Sequence, residues 1–189
     1  MKYLLLFLVN IYAWEQAVNL KYFGLTFHPG GGNATEGYQY PNAIDENGYW
    51  VYQLGAEVDY EWQSPTKWWS LRGTVALFQD CIEAWSGHLS LGLRLKHRFK
   101  NGFGLDFGIG PTLIWRENWW KKQEVSDWYN GDGFYGKKET NATFQKTLLW
   151  YGGNLGLSYM FNEKFGIQYS VIPGYPQVIT SSLGLRIIL

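Results

Sequence analysis

Few side chains in this sequence are suited to nucleophilic or acid–base chemistry. The chain has one cysteine, Cys81, which directly follows Asp80, and three histidines, His28, His88 and His97. A thiol becomes a strong nucleophile when a neighbouring histidine accepts its proton. One cysteine excludes an internal disulfide framework, and no second cysteine with histidine partners gives zinc-ligand spacing. We therefore predict neither a metal nor a cofactor, and ask whether the fold brings a histidine to Cys81.

The composition favours a lipid environment over a nucleic-acid partner. The chain has 189 residues, which is the size of one domain. Its 16 Lys or Arg are balanced by 16 Asp or Glu, so it lacks the basic excess that neutralises phosphates. Trp, Tyr and Phe make up 19% of the residues, including 11 Trp. Such amphipathic rings are typical of a membrane interface.

Residues 1–19 have the pattern of a targeting segment. Lys2 is followed by an apolar run over residues 3–9, which Asn10 interrupts; residues 11–13 partly resume it, and Trp14 and Glu15 end it. The run is far shorter than the ~20 apolar residues of a spanning helix, so it predicts a secretory signal cleaved near Ala13 or Ala17. The alternative is a short N-terminal core helix. No later segment is a spanning helix, so entry into a membrane requires a closed β-barrel.

Apolar and polar residues alternate with period two along most of the remaining chain. In residues 50–62, one parity is apolar throughout and begins and ends with Trp, whereas the other carries Glu57, Asp59 and Glu61. Similar alternation occurs in residues 69–78, 88–95, 103–110, 151–159, 165–171 and 183–189, and residues 20–28 supply a first strand. The pattern predicts an all-β fold over residues 20–189, an eight-stranded antiparallel transmembrane β-barrel of the bacterial outer membrane, and a monomer.

Connection lengths assign the strand ends to two rims. Residues 63–67, 100–102 and 162–164 form short turns, whereas residues 29–47, 80–85 and 117–146 form longer loops. Outer-membrane barrels place short turns at one rim and longer loops at the other. The strands 20–28 and 68–79 both run toward the longer loops. His28 is therefore expected on the same outer rim as Asp80 and Cys81, about fifty residues later.

The inward parity divides the predicted lumen into two parts. Toward the short turns it carries both charges, at Glu57, Asp59, Glu61, Arg72, Arg94, Lys96, Asp106 and Arg186. Buried pairing of these groups is expected, and an open ion pore is not. Toward the outer rim it carries Val51, Ala76, Phe78, Gly92, Gly108, Gly110, Trp150 and Gly152. An eight-stranded barrel either packs such a region solidly or leaves room for one slim ligand, such as an acyl chain.

Four short motifs resemble the outer-membrane lipid A palmitoyltransferases. They are Leu25-Thr26-Phe27-His28, Ala76-Leu77-Phe78-Gln79-Asp80-Cys81 with Trp85, Arg116-Glu117-Asn118-Trp119, and Val171-Ile172-Pro173-Gly174. They occur in the family's order and on the corresponding predicted strands. The resemblance covers roughly residues 20–189.

The resemblance implies an acyltransferase that moves a palmitoyl chain from a glycerophospholipid to lipid A in the outer leaflet. The family's catalytic His, Asp and Ser fall on His28, Asp80 and Cys81. These would act as general base, orienting group, and nucleophile or proton partner. The substrate-binding positions are Gly92, as the floor of an acyl-chain ruler, with Ala76, Phe78 and Arg116. Lateral access for membrane lipids would lie at Pro29, Pro111 and Pro173, since proline cannot complete a strand ladder.

Two departures from the family and two rival functions remain open. Cys81 replaces the family's Ser, so the site is either a Cys–His–Asp set or retired. The family's N-terminal amphipathic helix is absent or replaced by an uncleaved N-terminus. His88-Leu89-Ser90 is similar to the His-x-Ser motif of lipid A deacylases, although hydrogen bonding in the lumen also accounts for it. The other alternative is a non-enzymatic structural or adhesion barrel whose function lies in the 117–146 loop.

Overall fold

A computed structural model describes residues 15–28, 40–122, 141–173 and 179–189 of the chain. Within them the chain is almost entirely β-strand, with one short 3-10 helix at Trp119–Lys121. The strand segments are β1 (Glu15–Phe27), β2 (Trp50–Tyr52), β3 (Gly55–Gln63), β4 (Trp69–Gln79), β5 (Trp85–Arg98), β6 (Phe103–Glu117), β7 (Phe144–Met160), β8 (Phe165–Ile172) and β9 (Ile179–Ile188). In this part of the chain, no helix is long and apolar enough to cross a membrane.

The strands form one antiparallel sheet that closes on itself. Sequential strands pair from β3 to β9, and β1 pairs with β9 from Ala17 opposite Ile188 to Phe27 opposite Ile179. Segments β2 and β3 both pair with β1, so they form one wall strand that is interrupted between Tyr52 and Gly55. The described segments therefore make eight wall strands, which confirms the predicted eight-stranded antiparallel barrel.

The barrel begins earlier than the sequence pattern indicated. Strand β1 starts at Glu15, five residues before the predicted boundary at Leu20, and Glu15 pairs with Gln63 of β3. Ala17, one of the two predicted cleavage positions, is a buried residue in this strand. Residues 1–14, which carry most of the predicted signal segment, lie outside the described residues, so cleavage stays a prediction.

The outer surface of the barrel is apolar, as the alternation predicted. In β3 the outward Val58 is exposed, whereas its neighbours Glu57 and Asp59 are buried. Large exposed residues on the other strands include Leu77, Leu89, Leu91, Leu93, Leu105, Phe107, Ile109, Leu155, Leu157, Leu183 and Leu185. Exposed aromatic rings at the two ends include Trp68, Phe99 and Phe161, and Trp50 and Trp85. An apolar band between aromatic rings is the exterior of an outer-membrane barrel, in agreement with the predicted localisation.

The lower lumen, next to the short turns, is filled by buried ion pairs. Glu61 accepts hydrogen bonds from Arg72 Nη2 at 2.7 Å, from Arg186 Nη1 at 2.8 Å, and from Lys96 Nζ. The further pairs are Lys21 with Glu57, Lys21 with Asp59, Arg72 with Asp59, and Arg94 with Asp106. The predicted pairing of buried charges is therefore confirmed, and the network occupies the space that an ion pore would need.

Part of the upper lumen is filled by apolar side chains. Ala76, Phe78 and Ile114 form a buried apolar cluster, and Leu149 and Ile172 pack against it. These five side chains come from β4, β6, β7 and β8, so their packing connects opposite sides of the wall. The sequence left open whether this region is solidly packed or has room for one slim ligand. At the level of this upper cluster it is solidly packed.

Trp150 lies on the outside of the barrel, so the prediction that it faces the lumen is wrong. The pairing of β6 with β7 shifts between Gly110 and Thr112, at Pro111. A bulge of this kind adds a residue to one strand and changes which side chains face inward beyond it. Leu149 therefore packs against the upper cluster, and Trp150 is 74% exposed.

Candidate functional site

The three predicted catalytic residues occupy one rim of the barrel. His28 directly follows β1, and Asp80 and Cys81 directly follow β4. Both strands end at the rim opposite the short turns. Asp80 opens a tight turn, in which its N–H donates to the carbonyl of Ala84 at 2.9 Å and its carbonyl accepts from the N–H of Glu83 at 3.0 Å. The topology therefore gives the shared rim that the connection lengths predicted.

The Asp80 carboxylate is fully occupied by donors from its own surroundings. Oδ1 accepts from the backbone N–H groups of Ile82 at 3.1 Å and Ala84 at 2.9 Å. Oδ2 accepts from Ser86 Oγ at 3.1 Å and from Trp119 Nε1 at 2.8 Å. A carboxylate has about four acceptor sites. Asp80 therefore has no acceptor site left for a histidine in this arrangement.

Burial shifts the acid–base properties of Asp80 and Cys81 in the same direction. Burial raises the pKa of Asp80, although the Trp119 hydrogen bond and the nearby Arg116 charge oppose the shift. Cys81 is 4% exposed and packs with Val51, Ile82, Ala84 and Trp119. Its burial, and then the charge of Asp80, raise the pKa of the thiol well above its ordinary value. A protonated thiol is a weak nucleophile.

His28 is connected to the cluster around Cys81 through the ring of Tyr40. The His28 ring is 5.0 Å from that of Tyr40, and Tyr40 packs against the apolar cluster that contains Cys81. Burial lowers the pKa of His28 to about 4, so the ring is neutral at pH 7 and is a weaker base than an ordinary histidine. Its Nε2 is buried and has no hydrogen-bond partner among the described residues. The catalytic roles of His28, Asp80 and Cys81 thus stay predictions.

A second group on the same rim links the 117–146 loop to the wall. The guanidinium carbon of Arg116 lies 3.8 Å from the centroid of the Trp119 ring. Gln145 Oε1 accepts from Arg116 Nε at 3.0 Å and from the Trp119 N–H at 3.2 Å. The sequence reading missed Gln145, although its inward position between Phe144 and Lys146 on β7 marks it as a polar residue that needs a partner.

Asn118 connects the segment after β6 to the residues before β7. Its Oδ1 accepts from the Trp120 N–H at 3.1 Å and caps the short helix Trp119–Lys121, while its Nδ2 donates to the Ala142 carbonyl at 2.8 Å. The Arg-Glu-Asn-Trp motif therefore positions side chains for a hydrogen-bonded rim. Substrate binding by Arg116 stays a prediction, and its guanidinium is buried beside Trp119 and Gln145.

Below the upper cluster lies a cavity of about 390 Å³. Gly92 lines it together with Arg72, His88, Ser90 and Arg94, and its role as the floor of an acyl-chain ruler stays a prediction. Ile114, Leu149 and Ile172 form its apolar upper side. Ala76 and Phe78, predicted to bind substrate, pack in the upper cluster instead of lining this space.

The cavity extends into the wall of the barrel between β6, β7 and β8. Its lining includes the outward-facing Ile109 and Tyr151, and Pro173 at the end of β8. Within the described residues, β8 pairs with β7 only from Leu155 to Met160, so β7 above this level has no partner on that side. Pro111 lies at the register shift between β6 and β7, and Pro173 lies at the cavity wall. Lateral lipid access at these prolines stays a prediction, and Pro29 lies outside the described residues.

In the part of the chain that the structure describes, no group of three or more His, Cys, Asp or Glu side chains is placed to hold a metal ion. His88 and Ser90 of the deacylase-like motif both line the cavity rather than the rim. They lie among Arg72, Thr74 and Arg94, which gives them polar surroundings in the lumen.

Neither a protein-family model nor a curated protein matches the sequence. Several solved barrels are similar in structure. The N-terminal β-barrel domain of Pseudomonas aeruginosa OprF has a TM-score of 0.47 at 13% identity, covering 92% of this chain and 97% of that one. Yersinia pestis Ail has a TM-score of 0.49 at 12% identity (93% and 97% covered), and Neisserial surface protein A has 0.45 at 7% (92% and 97%). The lipid A palmitoyltransferase family is not among these three, and the fold assignment depends on the strand register described above.

Proposed function

We propose that this chain is a non-enzymatic outer-membrane barrel that presents its longer loops at the cell surface, as a structural or adhesion protein. The observation that carries the proposal is the saturation of Asp80 by Ile82, Ala84, Ser86 and Trp119. A carboxylate used in this way stabilises a turn. It does not orient a histidine, and the neighbouring thiol is buried and protonated.

The rim also supports the presentation of a loop. Arg116, Trp119 and Gln145 join the ends of β6 and β7, and Asn118 binds the Ala142 carbonyl. Both ends of the segment between Glu117 and Phe144 are thus fixed to the wall. Fixed loop ends reduce the conformational entropy that the loop loses when it binds a partner.

The test compares the attachment of bacteria expressing the chain to immobilised extracellular-matrix protein with and without this loop. One variant replaces residues 123–140 by a Gly-Ser linker of equal length. The control is Glu163→Gln in an exposed turn of the opposite rim. We expect attachment to fall to the level of cells without the protein in the loop variant only. Equal attachment by both variants would contradict the proposal.

A lipid A acyltransferase is the second candidate, and the cavity at Gly92 favours it. The cavity reaches the barrel wall beside Pro173, which is a route for an acyl chain from a membrane phospholipid. In this reaction His28 takes the proton of Cys81, the thiolate attacks the donor ester carbonyl to form a thioester, and the ester C–O bond breaks as the alkoxide leaves with the proton from His28. A lipid A hydroxyl then attacks the thioester and forms the new ester, and His28 transfers the hydroxyl proton to the departing Cys81 thiolate.

Mass spectrometry of lipid A from expressing cells separates the candidates. The acyltransferase predicts one added acyl chain that is lost in His28→Ala and in Cys81→Ala. It also predicts a shorter added chain in Gly92→Met, because the new side chain enters the cavity. The deacylase alternative predicts a loss of mass. Lipid A of unchanged mass would exclude both enzymes and agree with the non-enzymatic barrel.

A further inference from the structure

The cavity in the middle of the lumen has two arginines on its lower side. Arg72 of β4 and Arg94 of β5 both line it, and both are 2% exposed. They are diagonal neighbours on one face, because Arg72 pairs with Gly92 and Ser70 pairs with Arg94. Side chains in this relationship are close enough to interact. Two buried positive charges thus face the same space.

The acidic partners of these arginines leave part of each guanidinium unused. Arg72 binds Asp59 at 3.3 Å and Glu61 at 2.7 Å through its two Nη atoms, and Arg94 binds Asp106 through Nη2. The Nε atoms of Arg72 and Arg94 are buried and have no hydrogen-bond partner among the described residues. A buried donor of this kind is costly unless it is satisfied.

The charge balance of the luminal network points to an anion. Among the described residues, its cations are Lys21, Arg72, Arg94, Lys96 and Arg186, whereas its carboxylates are Glu57, Asp59, Glu61 and Asp106. Five positive groups therefore face four negative ones. By formal charge, one bound anion would balance the network.

Two glycines in the cavity wall lie so close to their neighbours that an added Cβ atom would be crowded. A Cβ atom built on Gly108 would lie 3.0 Å from Asn154 Oδ1 and 3.1 Å from Arg94 Nη1. A Cβ atom on Gly92 would lie 3.1 Å from the carbonyl oxygen of Ile109. Asn154 also lines the cavity, and its Oδ1 has no partner in the described part of the chain. Rotation of its amide would direct an NH₂ group to an anion instead.

The upper side of the cavity is apolar, whereas its lower side carries the two arginines. Ile114, Leu149 and Ile172 line it above the arginines, and Ile109 and Pro173 line its extension through the wall. The volume of about 390 Å³ is within the usual range for small-molecule sites. A ligand that satisfies both sides has an anionic head and an aliphatic chain.

We propose that this cavity binds an amphipathic monoanion, with its carboxylate or phosphate head between Arg72 and Arg94 and its aliphatic chain leaving between β7 and β8. This orientation is opposite to that of an acyl ruler, in which the methyl end lies deepest in the lumen. The site is also independent of the proposed surface function, because it uses neither the rim nor the loops.

The experiment uses the full chain in nanodiscs of uncharged phosphatidylcholine, with ¹⁵N-labelled arginine. The Nε–H resonances of Arg72 and Arg94 are followed by NMR during titration with dodecanoate or dodecyl phosphate. Dodecanol is the uncharged control, and inorganic phosphate is the control without a chain. We expect saturable shifts of both resonances with at least one amphipathic anion. Affinity for either control should be about tenfold or more weaker. The tighter of the two anions identifies the head group.

Two variants test the location of the site. The paired change Arg94→Leu with Asp106→Leu removes both partners of a buried ion pair, which a barrel tolerates better than the loss of one. Ser90→Leu fills the cavity and keeps both arginines. Each should abolish the saturable dodecanoate or dodecyl phosphate response, and Arg98→Gln at the exposed lower rim should keep it. The proposal is overturned if neither anion shifts the resonances, if dodecanol or inorganic phosphate binds as tightly, or if the folded cavity variants bind like the wild type.

Discussion

The indole Nε1 of Trp119 donates a 2.8 Å hydrogen bond to the carboxylate of Asp80, 39 residues earlier in the chain. The bond joins the segment after β6 to the turn after β4. Two of the motifs that resemble a lipid A palmitoyltransferase therefore meet in space, but they meet as a structural contact. The acid that the resemblance assigns to catalysis is an acceptor that holds the outer rim together.

Loss of the indole donor should destabilise the barrel. Trp119→Phe keeps most of the ring but leaves one Asp80 oxygen short of a donor in a buried site. Removal of a hydrogen bond to a charged group costs about 1.5–3 kcal/mol. Urea unfolding of the protein in lipid vesicles measures the change. The control is Trp85→Phe, whose side chain is 46% exposed, and an equal loss in both variants would contradict the structural role of the Trp119 bond.

His28 should make the barrel less stable in acid. Burial lowers its pKa to about 4 in the folded chain, against 6.5 for an unperturbed histidine. Between these values the unfolded chain binds more protons, so stability is lost as the pH falls from 6.5 toward 4. The shift corresponds to a loss of about 3 kcal/mol at most.

Unfolding free energies measured from pH 7 to pH 4 test the His28 prediction by comparison with His28→Gln. The variant cannot protonate, so its stability should fall less over this range than that of the wild type. His97→Gln, at an exposed position of β5, should keep the wild-type dependence. Parallel curves for wild type and His28→Gln would show that His28 is accessible to protons in the folded barrel.

The positions of His28, Asp80 and Cys81 show which features of the site can be predicted from the sequence. Strand parity and connection lengths are sufficient to place His28, Asp80 and Cys81 on one rim, because an antiparallel barrel returns alternate strand ends to the same side. They do not report hydrogen bonds within that rim. The donors that occupy Asp80 come from Ile82, Ala84, Ser86 and Trp119, and only a closed structure brings the last of these within reach.

In the lumen, too, the sequence predicts which side chains face inward but not how they pack. Alternation predicts which charges are buried, and the pairs of Glu61 with Arg72, Arg186 and Lys96 confirm it. It fails at Trp150, because the bulge at Pro111 changes the parity of β7 and is invisible to a strict period of two. The position of the cavity relative to the arginines depends on side-chain packing across the barrel. A one-dimensional pattern contains no information on such packing.

Cys81 should resist alkylation in the folded barrel. Burial raises the pKa of the thiol well above its ordinary value, and the thiolate is the reactive form. Each unit of pKa reduces the thiolate fraction about tenfold, so iodoacetamide should modify the folded chain more than tenfold slower than the urea-unfolded chain. Mass spectrometry follows the reaction at pH 7.5. Cys81→Ala combined with Glu46→Cys, at an exposed loop position, is the reactive control. Comparable rates in the folded and unfolded wild type would restore Cys81 as a candidate nucleophile.

Glu61 should be a strong determinant of stability in the lower lumen. It accepts from Arg72, Arg186 and Lys96, so Glu61→Gln leaves three buried cations with less compensation. Breaking a buried ion pair by removing one partner costs about 3–5 kcal/mol. Urea unfolding gives the value, with Glu163→Gln in an exposed turn as the control. A loss of less than about 1 kcal/mol would mean that the network contributes no more than surface pairs do.

Trp150 should contact lipid directly, because the bulge at Pro111 turns it out of the lumen to 74% exposure. Phosphatidylcholine with bromine on its acyl chains quenches the fluorescence of tryptophans that touch it. Wild type and Trp150→Phe are compared in vesicles of brominated and ordinary lipid, and the quenched fraction should be smaller in the variant. Trp119→Phe is the matched control, since Trp119 is buried at the rim and its loss should leave the quenched intensity unchanged. Equal quenched intensity in wild type and Trp150→Phe would show that Trp150 does not contact lipid. The change of parity in β7, which also places Leu149 in the cavity wall, would then be wrong.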